Sequence, residues 1–79
     1  MNKIEITAKL TLLFRKIFSN DSLILSNELT ANDVENWDSL THMLLITEIE
    51  SSFSIKFKLK DLNKMRNVGD MIDIITSKL

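Results

Sequence analysis

The chain has no cysteine, no proline and no tyrosine, and only one glycine, one tryptophan and one histidine in 79 residues. Without cysteine it can form neither a disulfide nor a thiolate metal site, and the polypeptide supplies no thiol chemistry of its own. One histidine, His42, cannot assemble a recognisable metal site. There is no linker rich in Gly, Ser or Pro, no internal repeat and no useful run of alternating apolar and polar residues. No apolar run approaches the ~18 residues of a membrane span, and Met1 to Thr11 lacks the apolar stretch of a signal peptide. The expectation is a cytoplasmic chain that spans no membrane.

What is present suits one small domain over residues 1–79, near the size at which a single core must be efficient to hold at all. Hydrophobic residues make up 44% and charged residues 27%, enough apolar surface to fold rather than stay disordered. The net charge of −1 becomes informative once divided along the chain: −1 over residues 1–37, −3 over 38–55 and +3 over 56–79. The acidic middle contains Asp38, Glu48 and Glu50 with no Lys or Arg between them. Such a segment can steer towards a basic partner surface, and it can equally be an ordinary solvated face.

The apolar spacing is helical. Ile6, Leu10, Leu13, Phe14 and Ile17 form a stripe of about four turns within Ile4–Phe18. Ser19-Asn20-Asp21-Ser22 favours caps and turns, which ends that helix and begins a long connection over 19–36. Burial of Leu23, Leu25 or Leu29 is expected to hold this connection to the domain. A central helix over Ser39–Phe53 buries Leu45, Ile46, Ile49 and Phe53. A short helix between Lys58 and Met65 spaces Leu59, Leu62 and Met65 by three. A last helix starts at the cap Asn67, with Asp70 favouring its dipole and Val68, Met71, Ile72, Ile75 and Leu79 on its inner stripe. The architecture is all-α: a small bundle of three main helices and one short one, with a long loop between the first two.

Asp38 is a favoured N-cap, which leaves Ser39 as the first residue of the central helix. The inward stripe behind it fixes the helix while the Ser39 hydroxyl looks outward, and an anion attached there lies at the positive end of the helix dipole. Asp38, Ser39 and His42 are the residue types of a hydrolytic triad, but adjacent Asp38 and Ser39 diverge and no Gly-x-Ser-x-Gly elbow is present. Catalysis is therefore disfavoured. His42 reads as an exposed helical histidine, and Trp37, just before the cap, reads as packing onto the first turns. The bases Lys56, Lys58, Lys60, Lys64 and Arg66 are interrupted by Asp61 and have only Phe57 as an interleaved aromatic, so nucleic acid is not expected as a partner.

Asp38-Ser39-Leu40, entered from an irregular segment and followed by an amphipathic helix, resembles the prosthetic-group site of acyl carrier proteins. Glu50 with Phe53 resembles that family's helix end, and Asn67-Val68-Gly69-Asp70-Met71-Ile72 resembles the opening of its last helix. The likeness spans essentially the whole chain. It implies the four-helix acyl-carrier bundle and no enzymatic activity of its own. A 4′-phosphopantetheine arm on Ser39, flanked by Asp38 and Leu40, would carry acyl groups as thioesters. The implied partners are a phosphopantetheinyl transferase, an acyl-loading ligase or synthase, and downstream acyl-processing enzymes, met by a monomer. Leu40 and Met43, off the main buried stripe, either give an apolar docking edge or complete the edge of the core, and Glu48 and Glu50 would give an acidic docking edge. Trp37-Asp38-Ser39-Leu40 resembles specialised bacterial carriers more than those of bulk fatty-acid synthesis. An aminoacyl or peptidyl carrier, and an unmodified helical interaction module, are the alternatives.

Overall fold

The computed structural model describes residues 1–79 and contains four helices and no strand: α1 (Lys3–Ile17), α2 (Ser39–Phe53), α3 (Leu59–Asn63) and α4 (Val68–Lys78). α1 begins where Asn2 accepts a hydrogen bond from the Glu5 amide at 2.9 Å, while the Glu5 carboxylate accepts from the Asn2 amide at 3.5 Å. This reciprocal cap satisfies two amides that the helix leaves unpaired. At its other end the Phe18 N–H reaches the Phe14 carbonyl, and Arg15 and Lys16 face the negative end of the dipole. α2 closes on Ser54, held in the left-handed region at φ 56° where glycine is usual. α4 opens on Asn67, which accepts from the Asp70 amide at 2.8 Å as the sequence predicts.

The three long helices meet on one apolar core. Ile6, Leu10 and Phe14 of α1, Leu45, Ile49 and Phe53 of α2, and Val68, Met71, Ile72 and Ile75 of α4 are buried together, with Phe18, Val34 and Ile55 at the edges. Full burial of a Leu, Ile or Phe is worth roughly 1.5–3 kcal/mol, so this cluster outweighs any surface pairing in holding the bundle. Leu13 and Ile17, expected on the α1 stripe, are half-buried at its margin. Leu79 is a correction: α4 ends at Lys78, and the residue after it is 51% exposed.

The connection over 19–36 departs further from expectation. Leu23, Leu25 and Leu29 pack against the core only partly, and Val34 is the loop residue that is buried. Backbone polarity explains the difference. The amides of Val68 and Gly69, orphan donors in the first turn of α4, bond to the carbonyls of Leu29 and Asn27, both at 3.0 Å. Arg15 adds a bond from Nε to the Leu23 carbonyl at 2.9 Å. A loop tied down through its carbonyls needs less apolar burial. The tie also requires close approach, because a Cβ on Gly69 would sit 3.1 Å from both the Cβ and the carbonyl oxygen of Asn27. The radius of gyration, 11.4 Å, is close to the ~11.6 Å expected of a compact chain of this length, so the loop lies on the bundle and does not project.

Candidate functional site

The start of α2 is built by a short chain of local bonds. Asn36 takes φ 70°, a left-handed value that asparagine tolerates, and turns the chain into the cap. Asp38 Oδ1 then accepts from the Thr41 amide at 3.0 Å, the Thr41 hydroxyl accepts from the Asp38 amide at 2.8 Å, and that hydroxyl donates to the Asn36 carbonyl at 2.6 Å. Thr41 thus closes a capping box in the position more often held by Glu or Gln. It is a site residue the sequence reading missed, and the Asp-x-x-Thr spacing was its signal. The bond from the Thr41 amide, ahead of the other contacts, holds the Asp38 carboxyl below the usual carboxylate range.

Ser39 is exposed at the first position of this fixed turn. Its neighbours do not form a triad. Asp38 is committed to Thr41, and His42 Nδ1 accepts a hydrogen bond from Trp37 Nε1 at 3.0 Å. His42 is therefore a correction to the exposed reading: it is half-buried, stacked on the indole with centroids 6.0 Å apart, and burial lowers its pKa. Trp37 packs as expected, edge-on to Phe14 at 5.2 Å and tilted against Phe18 at 5.7 Å. The indole bridges α1 to the first turn of α2, which steadies the segment that carries Ser39.

A cleft of about 400 Å³ opens beside the hydroxyl between Trp37, Ser39 and His42 on one side and Met65, Arg66 and Met71 on the other. A larger groove lies away from Ser39, between α1 and α4, but polar residues dominate its lining and the Lys3–Asp73 ion pair flanks it. The Ser39 cleft sets the apolar side chains of Trp37, Met65 and Met71 beside the Ser39 hydroxyl. The cap uses the Thr41 amide and leaves the Ser39 amide without a partner, so an anion joined to the Ser39 oxygen would meet a free donor at the positive end of the helix. These residues fit a phosphodiester-linked group.

The expected docking residues divide. Leu40 and Met43 are exposed, and Leu44, which the sequence reading did not single out, joins them on one apolar strip. Glu48 and Glu50 have no base nearby in sequence, but the fold supplies partners for both. Lys16 of α1 pairs with Glu48 at 3.6 Å, and the Glu50 carboxylate accepts from the Phe57 amide at 2.8 Å, closing the turn after α2.

Among solved structures, the chain is similar to a holo acyl carrier protein from Geobacter metallireducens determined by solution NMR. The two are 46% identical and superpose with a TM-score of 0.87, over 91% of this chain and 83% of that one. No family model matches the chain, and no curated protein matches it.

Proposed function

Because the chain belongs to the acyl carrier protein family, whose members are carriers and not enzymes, we propose that it carries acyl intermediates as thioesters on a 4′-phosphopantetheine arm attached to Ser39. The observation that carries this reading is the exposed Ser39 hydroxyl at the first position of a doubly capped helix, beside a cleft with apolar walls. When attached, the arm supplies a terminal thiol that this cysteine-free chain lacks. The chain's own part is mechanical and electrostatic. Asp38 and Thr41 fix the turn, the free Ser39 amide and the helix dipole favour the phosphodiester, and Trp37, Met65 and Met71 offer apolar walls that exclude water from a carried group. A transferase must supply the arm from coenzyme A, since no base touches Ser39, and a loading ligase or synthase must supply the acyl group. Trp37 before the cap and the basic run from Lys56 to Arg66 support a specialised biosynthetic pathway over bulk fatty-acid synthesis.

Incubation with coenzyme A, magnesium and a broad-specificity phosphopantetheinyl transferase should add one arm, placed on Ser39 by peptide mass spectrometry. Ser39→Ala should abolish the addition and leave the helical signal intact, since an exposed change in a first turn costs at most about 1 kcal/mol. A folded wild type left bare by several competent transferases would overturn the carrier reading in favour of an unmodified interaction module. Equal modification of Ser39→Ala would keep the function and move the site.

A further inference from the structure

The segment that follows α2 turns a second surface to solvent. In α3, Asp61 and Leu62 are half-buried, as is Met65 beyond its end, while Leu59, Lys60 and Asn63, with Lys64 at the C-cap, are exposed. Leu59 is 74% exposed, an apolar side chain with no reason from packing to be there. Within five residues of it in the chain lie Lys56, Lys58, Lys60 and Lys64, all exposed and none paired with an acid within 4 Å. The one acid of the segment, Asp61, is committed elsewhere: its carboxylate bonds Lys78 of α4 at 2.8 Å and the Lys58 amide at 2.8 Å. Lys60 and Lys64 lie one helical turn apart, where like charges repel. Four exposed bases thus accompany one exposed apolar side chain, and none of the four has an ion-pair partner within 4 Å.

We infer that the Leu59 surface docks a protein partner whose contacting face is an apolar socket rimmed by carboxylates. The anatomy is that of a small interface, an apolar anchor that can be desolvated within a polar rim that sets register and orientation. The sign of the rim selects acidic partners. A phosphate backbone offers Leu59 no socket, and the connection over 19–36, with Asp21, Glu28, Asp33 and Glu35 and no base, would be repelled by an extended polyanion. A bilayer would gain one inserted side chain from a five-residue helix, too little for stable anchoring. The surface stands independently of whether Ser39 is modified; it belongs to α3 and the turn before it, whereas Leu40, Met43 and Leu44 belong to α2.

The test is a titration of ¹⁵N-labelled chain with a synthetic helical peptide that has leucines on one face and glutamates flanking them. The comparison probes are the same peptide with lysine for glutamate, mixed phosphatidylcholine–phosphatidylglycerol vesicles, and a short DNA duplex. The glutamate peptide should shift amides of residues 56–66, and raising salt from about 20 to 200 mM should weaken it by about tenfold through screening. Leu59→Ser should weaken it by about tenfold or more through lost apolar burial, with amides outside the segment unmoved because the side chain is exposed. The double change Lys58→Glu, Lys60→Glu should abolish the shifts and transfer them to the lysine peptide. Equal binding of both peptides, shifts centred on Leu40 and Met43, or stronger engagement of the same amides by vesicles or DNA would each overturn the inference.

Discussion

Mild acidification, from about pH 7.5 to 5.5, should loosen this fold through one side chain, His42. Trp37 Nε1 can only donate, so the 3.0 Å bond to His42 Nδ1 requires a lone pair there and a neutral ring with its proton on Nε2. A second proton turns Nδ1 into a donor facing a donor. The bond, worth about 0.5–1.5 kcal/mol net, is then lost, and a charge is left in a half-desolvated place. Burial already holds the His42 pKa below its ordinary value. The unfolded chain therefore takes up this proton near pH 6.5 while the folded chain resists it, and in that interval stability falls with pH. The contribution is complete above about pH 6.5 and is lost as pH falls through the folded pKa. Against roughly 4–12 kcal/mol of total stability for 79 residues, a loss of about 1 kcal/mol leaves the protein folded. It should lower Tm by about 4–8 °C. Denaturant unfolding followed by the fluorescence of Trp37, the only tryptophan, measures both the stability and the local environment at pH 7.5 and 5.5. His42→Gln is the decisive comparison, because an amide oxygen accepts from the indole at every pH. Its unfolding midpoint should be nearly flat across the same range, and an undiminished decline in that variant would refute the reasoning.

Glu50→Ala should cost about 1–3 kcal/mol in denaturant unfolding by stranding the half-buried Phe57 amide, with Glu50→Gln recovering most of it. Glu48→Gln breaks only a surface pair and should cost no more than about 1 kcal/mol, so a fall in its rate of arm transfer at low salt, without loss of fold, would report steering by α2. Gly69→Ala gains about 1 kcal/mol of helix propensity, yet its Cβ presses the Asn27 carbonyl that the Gly69 amide itself anchors. Net destabilisation, with faster amide exchange at Gly69, is the expected result. Asp38, bonded by Thr41, and Asp61, bonded by Lys78, both have lowered pKa values; their stabilisation is present above about pH 4 and lost as pH falls further, which acid titration of the Asp61→Asn variant should show as a shallower decline.

The bundle was legible in the sequence because its determinants are local and periodic. The stripe Leu45, Ile46, Ile49 and Phe53 names the inner face of α2, and Asp38 and Asn67 announce two helix starts through bonds that span only three residues. The predicted and observed ends of α1 differ by one residue, within the ordinary fraying of a helix. What stayed hidden depends on residues far apart in the chain. Leu23, Leu25 and Leu29 mark the connection as apolar, but its path is set by carbonyls of Asn27 and Leu29 meeting amides of α4 some forty residues on, and backbone atoms leave no signature in composition. The same limit governs the site. His42 looks solvent-exposed in a linear reading because the sequence does not show where the one nearby donor, the Trp37 indole, will point. It becomes an acceptor once Phe14 and Phe18 of the first helical stretch fix the indole of Trp37 at the mouth of the cleft. Glu48 shows it again for charge. A segment free of bases in sequence faces Lys16 in space, so steering charge has to be counted after folding, and by that count four of the six bases without an ion-pair partner lie between Lys56 and Lys64.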